Sequence, residues 1–481
     1  MSNILANLEP ARVFHYFEEI CNIPHGSKNT KQISDYIVEF AKKNSLQYRQ
    51  DEMDNVIIWK PGVGSRTVML QGHMDMVAVK DENVPKNLET DGLDLIVNED
   101  TITADGTSLG ADDGIAVAYA LAILESDDII HPNIEAVFTV DEEIGMNGAA
   151  ALDCSDLKST YLLNLDLDDD RMVYAGCAGG ATVTTRLPIE REMVSGIFSR
   201  ISISGAIGGH SGTEIIHESA NSASLLGRLL YELREKVVFQ LTDVCGGEKD
   251  NSICLRASAG IVLESYESLE KLKEELVSVS GAICSAYKTT DPNLSIKIGE
   301  ESDYSGEAFT RESTEKAVSL LFSTPNGVVK MDPDLKGLVQ TSLNLGILRT
   351  DEDVQILSFA RSSVDSEKFA LIKRIQCNAK LHGASVEVTG IQPAWEYNPN
   401  SPLCKIVADI YREEFGHDAT IGTIHAGVEC GIFTDKIKGL DAISLGPNMA
   451  DIHTTKETLE IKSTGKTWKF LLKILEKLAS C

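Results

Sequence analysis

The chain has 481 residues, more than the ~250–300 at which a single hydrophobic core stops growing, so two domains are expected. Its 43% hydrophobic and 24% charged residues are those of a folded globular protein, and no apolar run approaches the ~20 residues that span a bilayer. A formal net charge of −29 argues against a nucleic-acid backbone as partner, because phosphate binding needs clustered Lys and Arg. Neither nucleic acid nor a membrane is therefore an expected partner.

The N-terminal stretch MSNILANLEPARVFHYFEEI lacks the basic start and small-residue cleavage site of a secretory signal. It reads as an amphipathic helix with Leu8, Val13, Phe14 and Phe17 on one side. Ten cysteines, Cys481 among them, contain no C-x-x-C pair, so neither a thiolate zinc cage nor a redox motif is indicated. Reduced thiols in a cytoplasmic protein are the expectation.

From about residue 10 to 180, helical and strand-like segments alternate. TKQISDYIVEFAKKNSL has helical spacing, NVIIW and TVMLQG read as strands, GIAVAYALAILES as a buried helix, and IEAVFTV and STYLLNLD as further strands. The pattern returns near the C-terminus with a helix in SPLCKIVADIYREEFG, a strand in DAISLG and a closing helix in TGKTWKFLLKILEKLA. Such alternation predicts an α/β domain with a mainly parallel sheet. Between them the texture changes to strands such as SRISISG, CLRASAGIVLES, LVQTSLNLGILR, VQILSFARSS and ASVEVTG, with the charged helix YESLEKLKEELVSVSGAICSAYK. The predicted plan is a discontinuous α/β domain, residues 1–182 and 391–481, holding an α+β insertion at 183–390 that could consist of two similar halves.

Polar groups then fall where apolar strands of the α/β part end. His73 and Asp75 follow TVMLQG, Asp141, Glu142 and Glu143 follow IEAVFTV, Asp166 follows YLLNL, and His453 follows DAISLGP. Asp112, in SLGADDG, opens the buried helix. Sites in parallel α/β sheets form outside the carboxyl ends of strands, so these groups could share one crevice. Two imidazoles with several carboxylates and no thiolate suit zinc or a related divalent ion, and the surplus of acids suits a bridged metal pair. Each piece also has an ordinary reading: DEE as a solvated turn, GADDG as a helix start favoured by the dipole. DLDLDDD hints at a calcium loop, but Arg171 stands at the EF-hand glycine position and Cys177 at the closing glutamate position.

LQGHMDMV, SLGADDGIAVA, TVDEEIGMNGA, NLDLDD, GGHSGTEI, HAGVECG and SLGPNMADIHTTKE, in this order and over essentially the full length, resemble the co-catalytic zinc exopeptidases of the aminoacylase and carboxypeptidase clan, closest to the aminoacyl-histidine dipeptidase branch. The resemblance implies a catalytic domain with an inserted lid and two divalent ions per chain, zinc first, with manganese or cobalt as alternatives. By the same resemblance His73 and His453 each bind one ion and Asp112 bridges them. Asp166 completes the His73 site and Glu143 the His453 site. Asp75 orients His73, Glu142 is the general base, and the Asp112–Asp113 peptide bond is cis.

The implied reaction is hydrolysis of a dipeptide, of the Xaa-His type such as β-Ala-His. Glu142 takes a proton from metal-acidified water and returns it to the leaving amine. Relatives place a histidine of the insertion, here His210 in GAIGGHSGTEI, at the oxyanion, which requires lid closure. Arg361 in FARSSVDS is the candidate grip on the substrate carboxylate, since guanidinium offers two parallel hydrogen bonds. Asn251 stands where relatives read N-x-I-P, without the proline, and HAGVECG supplies a pocket wall through His425 and Gly427, with Glu429 as a brace. An aminoacylase, carboxypeptidase or tripeptidase of the same clan is the alternative, and an inactive metal-binding module the second. Related enzymes also form dimers, which leaves monomer and homodimer both open.

Overall fold

The apolar side chains collect into two separate cores, one per compact unit. The structure is a computed structural model that describes residues 4–480; Met1–Asn3 of the N-terminal reading, and Cys481, lie outside the described residues. The first unit runs to Cys177 and takes up Trp395–Thr423 and the chain from Val428 onward; the second is Ala178–Ala394 with Ile424–Gly427. The chain enters the second unit a few residues before 183 because the strand Gly179–Pro188 pairs with Asp353–Ser362 and Ser385–Thr389. Among the described residues no helix is long and apolar enough to cross a membrane.

In the first unit an eight-stranded sheet runs Gln47–Gln50, Val56–Lys60, Asn133–Thr139, Thr67–His73, Tyr161–Asn164, Asp441–Ser444, Met172–Cys177, Thr420–Ile424. Its centre is parallel: Thr67–His73 pairs in parallel with Asn133–Thr139 and Tyr161–Asn164, which is joined in parallel to Asp441–Ser444. Antiparallel pairs flank this centre, so the sheet is mixed rather than parallel throughout. A small four-stranded sheet, including Thr101–Ala104 and Thr458–Glu460, stands apart.

Helix Ala111–Glu125 is buried from Ala111 to Leu124, which explains why its sequence is apolar on every side. It lies close against the strand Thr67–His73: a Cβ on Gly72 would sit 2.6 Å from Ala116 Cβ and 2.6 Å from Asp113 Oδ2. The N-terminal helix spans Ala11–Cys21 and buries Val13, Phe14 and Phe17 as expected. Leu8 precedes it in a turn, because the helix starts only after Pro10, a residue suited to the edge of a helix and not to its interior.

The second unit carries a nine-stranded sheet. One part contains Ser295–Phe309, Arg191–Ser204, Ala257–Leu263 and Gln240–Gly246; the other contains Val339–Thr350, Asp353–Ser362, Gly179–Pro188 and Ser385–Thr389. The parts are joined where Gly246 pairs with Leu348 and where Thr350 Oγ1 accepts from Val244 N and donates to Val244 O, each at 2.9 Å.

Lys60 closes the far end of the buried helix. Its Nζ donates to the carbonyls of Ile123 and Leu124, each at 3.0 Å, and to that of Ser126. Replacing it by Met leaves these carbonyls without their donor, so Lys60→Met is expected to cost about 1–3 kcal/mol in urea unfolding. A loss below about 0.5 kcal/mol would show that water takes over the capping.

Candidate active site

The parallel strands deliver the polar groups to one edge. His73 ends its strand in register with Thr139, and Met74 N donates to Thr139 O at 2.8 Å. Beyond Val140 the strand is broken by left-handed residues, Asp141 at φ 56° and Met146 at φ 58°. The turn is held by Gly145 N and Met146 N, both donating to Glu142 O at 2.8 Å. Asp75 anchors the same turn from the neighbouring strand end. Its Oδ1 accepts from Glu142 N at 3.0 Å and its Oδ2 from Glu143 N at 3.4 Å and Ser27 Oγ at 2.8 Å.

His73 is 1% exposed, and its Nδ1 donates to the backbone carbonyl of Asp75 at 2.8 Å. The Asp75 carboxylate lies farther off, 3.6 Å from the same nitrogen, so the carbonyl makes the hydrogen bond expected of the carboxylate. That bond turns the Nε2 lone pair towards Asp112, whose Oδ1 is 3.2 Å away. The other oxygen of Asp112, Oδ2, is 3.1 Å from His453 Nε2, and Glu143 Oε1 is 3.0 Å from the same nitrogen. His453 is set by its own left-handed backbone, φ 63°. Asp166 groups with His73 and Asp113, and Glu142 with His73 and Glu143, the donor atoms of each group lying within 4.8 Å of one another. The Asp112–Asp113 peptide bond is cis.

These donors fit a bound cation. Ligands at 2.0–2.1 Å around a tetrahedral zinc are about 3.3 Å apart, close to the 3.0–3.2 Å separations around Asp112. Asp113 Oδ1 is buried without a hydrogen-bond partner, and the buried Glu143 Oε1 faces His453 Nε2 at 3.0 Å. Electrostatics point the same way. Burial, reinforced by the charge of Asp112, pushes the Asp166 carboxyl up to about 8, and burial holds Glu142 well above the usual carboxylate range. The carboxylates of Asp112 and Glu143 raise His453 to about 10. Burial opposes a charge on His73, yet Asp112 and Asp75 outweigh it and raise its pKa. Without a cation these acids must hold protons; with one they need not.

The second unit gathers its own polar cluster. Ser342 and Arg361 are cross-strand partners on Val339–Thr350 and Asp353–Ser362. Arg361 is 5% exposed, and its guanidinium stacks 4.4 Å from the ring centroid of Phe359 and donates through Nη2 to His210 Nε2 at 3.2 Å. It has no ion pair among the described residues, and Nε has no partner. Ser342 Oγ and His425 Nε2 are 2.7 Å apart. Gly212 permits this packing: a Cβ there would sit 2.6 Å from His425 O and 2.9 Å from His210 Cε1. Asn251 O accepts from Ser211 N at 2.9 Å, which sets Asn251 beside the His210 turn, and Gly427 follows His425 in the same unit.

The description "Peptidase family M20/M25/M40" matches residues 69–477. The chain belongs to this family. It is 33% identical to the cytosol non-specific dipeptidase of Escherichia coli (strain K12), over 98% of this chain and 99% of that protein. The crystal structure of aminoacylhistidine dipeptidase from Vibrio alginolyticus superposes with a TM-score of 0.90 at 33% identity, covering 99% of this chain and 98% of that one. Aminopeptidase PepT from Bacillus cereus, at 17% identity and a TM-score of 0.57 over 98% and 99% of the two chains, shares the fold.

In this M20 peptidase, Asp113 and Ser342 were given no side-chain role by the sequence, and Glu429 only that of a brace; each belongs to one of the two clusters. Asp113 is fully buried and accepts from His73 N at 3.2 Å. Its doubled position in GADDG was the available signal. Glu429, fully buried, accepts from Gln71 and from Thr139 Oγ1 at 2.7 Å, consistent with a brace, and burial raises it to about 7. It belongs to the first unit, whereas His425 and Gly427 of the same HAGVECG segment belong to the second. Ser342 carried no distinguishing signal, standing in a strand that also holds Gln340, Thr341 and Asn344.

Burial, followed by the Arg361 charge, lowers His425 to about 3 and His210 to about 4. Both are neutral when folded, whereas the unfolded chain protonates its histidines near the ordinary imidazole value of about 6.5. The unfolded state thus takes up the extra protons as pH falls from about 6.5 towards 4, and stability is lost over that window. His425→Asn is expected to flatten the pH dependence of urea unfolding there by up to about 1 kcal/mol per pH unit. An unchanged slope would mean that His425 is charged in the folded protein.

Proposed function

We propose that this M20 peptidase is a metal-dependent dipeptidase that cleaves Xaa-His dipeptides such as β-Ala-His among its substrates. The observation that carries the reading is Asp112, offering one oxygen to the His73 side and the other to the His453 side, in a chain similar over its full length to two dipeptidases. A cytoplasmic location belongs to the same reading and is supported by the name of the Escherichia coli relative.

His73, Asp112, Glu143, Asp166 and His453 would hold two divalent ions, with Asp112 shared. When bound, the ions supply Lewis acidity that polarises the scissile carbonyl and acidifies water; zinc is the first candidate, manganese and cobalt the alternatives. Asp75 fixes the two backbone amides from which Glu142 and Glu143 project, so one acid can be committed to a metal while its neighbour handles a proton. Glu142 accepts the proton of the attacking water and passes it to the leaving amine. Its raised pKa suits a group that must hold that proton between the two steps.

In the second unit, Arg361 binds a substrate carboxylate. A buried guanidinium without an ion pair is costly by itself and is matched by an incoming carboxylate with two hydrogen bonds. His210 serves as a neutral hydrogen-bonding group for the reacting carbonyl oxygen, and Asn251, His425 and Gly427 line the substrate.

The test is release of free amino acids from β-Ala-His, other Xaa-His dipeptides, a tripeptide and an N-acetyl amino acid, with zinc or manganese and again after chelation. Chelator-sensitive cleavage of the dipeptides alone is expected. Cleavage of only the acetylated or longer substrate would move the protein to another activity of the clan. No cleavage with any metal would leave a binding module. Glu142→Gln is expected to lower kcat about 10²–10⁴-fold with zinc binding retained. Arg361→Met is expected to raise KM for dipeptides by at least about tenfold, read from initial rates; an unchanged KM would remove Arg361 from the pocket.

A further inference from the structure

The helix that carries Asp112 starts without any local cap. Its first residue is Ala111, preceded by Gly110 at φ 65°, and no side chain near the start accepts from the first amides. The first turn of a helix leaves such N–H groups unpaired, and a buried one is costly. Here a single distant carboxylate satisfies them. Glu457 Oε2 accepts from Leu109 N at 2.8 Å and Gly110 N at 3.0 Å; Oε1 accepts from Ala111 N at 2.8 Å and Asp112 N at 3.3 Å.

Three further facts define what this contact does. Glu457 is 2% exposed and both its oxygens are occupied by amides, so it is not a ligand in reserve. Asp112 has non-helical backbone angles, φ −83° and ψ 102°, and Asp113 likewise, φ −118° and ψ 30°. The regular helix therefore does not dictate where the Asp112 side chain points; the bond to Asp112 N contributes that constraint. Finally, Glu457 stands four residues after His453 and just before the strand Thr458–Glu460, which pairs with Thr101–Ala104. Thr103 Oγ1 also donates to Glu457 O at 2.8 Å. The carboxylate thus joins the segment bearing His453 directly to the backbone bearing Asp112. A Ser or Asp cap from the preceding turn would satisfy the same amides but would leave these two segments untied.

We propose that Glu457 is a positioning residue: it holds the Leu109–Asp112 backbone against the His453 segment so that Asp112 presents one oxygen to His73 and the other to His453. The inference rests on the metal-binding reading of Asp112. Glu457 acts through the ligand and touches neither metal nor substrate, so its loss is read first in metal affinity. Partners that orient metal ligands typically change affinity about 10–100-fold when removed.

The experiment titrates zinc into metal-free wild type, Glu457→Gln, Glu457→Asp and Lys60→Met by calorimetry, with kcat, KM and the melting temperature of each metal-free protein. Glu457→Gln turns an amide NH₂ towards backbone N–H groups and should weaken at least one zinc site about 10–100-fold. Its kcat should fall while KM changes by less than about threefold. Glu457→Asp, which keeps the charge on a shorter arm, should fall between Gln and wild type, and it carries the comparison if the Gln variant does not fold. Lys60→Met loosens the other end of the same helix and should leave zinc affinity at the wild-type value.

Wild-type zinc affinity in both Glu457 variants, with only a lower melting temperature, would reduce Glu457 to a structural cap. Equal losses of affinity in Lys60→Met would assign the effect to general destabilisation and overturn the proposal. Absence of zinc binding in the wild type itself would overturn the metal reading and the inference with it, a result recognisable because no variant is needed to see it.

Discussion

The constraint on which the first unit depends is the crowding of negative charge at the carboxyl ends of its central strands. Asp112, Asp113, Glu142, Glu143 and Asp166 are brought together with only His73 and His453 as basic neighbours within the candidate donor groups. Like charges this close cannot all ionise unless something positive stands among them. The elevated carboxyls of Asp166 and Glu142, and the elevated imidazole of His453, are three expressions of that single imbalance. The same crowding would be a folding defect in a protein with no cation to place there.

Buried acids elsewhere in the unit show what a balanced carboxylate looks like. Glu135 is 2% exposed, yet it accepts from Lys158 N, Ser159 N, Ser159 Oγ and Trp59 Nε1. Glu457 is satisfied in the same manner by four amides. These two need no ion, because every oxygen has donors. Asp113 Oδ1 has none. The supply of donors, and not burial alone, distinguishes these two kinds of buried acid. Asp75 stands between the two kinds, its carboxylate spent on the Glu142 and Glu143 amides while its carbonyl orients His73.

How much of this could be read beforehand follows from the range of each interaction. The central strands and the buried helix were legible because apolar periodicity is a local signal, and the clustering of the candidate donors because most of them close those strands while Asp112 opens the helix. Motif order then identified the family. The antiparallel flanks of the sheet were not legible, since Gln47–Gln50 is polar and its strand exists only through pairing with Val56–Lys60. The same applies to Gly179–Pro188, whose place in the second sheet is decided by partners more than 160 residues on. Glu457 stood within a quoted motif, but its bonds reach back about 350 positions and nothing in its neighbourhood announces them. Likewise Asp75 reads as a carboxylate partner for His73, whereas the nearer acceptor is a carbonyl that every residue possesses.

The second unit presents the opposite imbalance. Arg361 is a buried cation whose pKa burial lowers to about 10, still charged at neutral pH, and it faces the neutral rings of His210 and His425 and the face of Phe359. A ring face attracts a guanidinium by only about 0.5–2 kcal/mol, far less than desolvating the ion costs. The neutrality of the two histidines follows first from burial and then from the arginine, whose charge repels a second positive charge beside it. They are therefore free to donate or accept hydrogen bonds without competing for the same anion. On the proposed reading, such a cluster would suit a ligand with one carboxylate set beside polar, uncharged groups, the chemistry of a peptide terminus next to its amide. Leaving that charge unpaired costs the chain stability, and under the proposal the bound carboxylate would offset that cost.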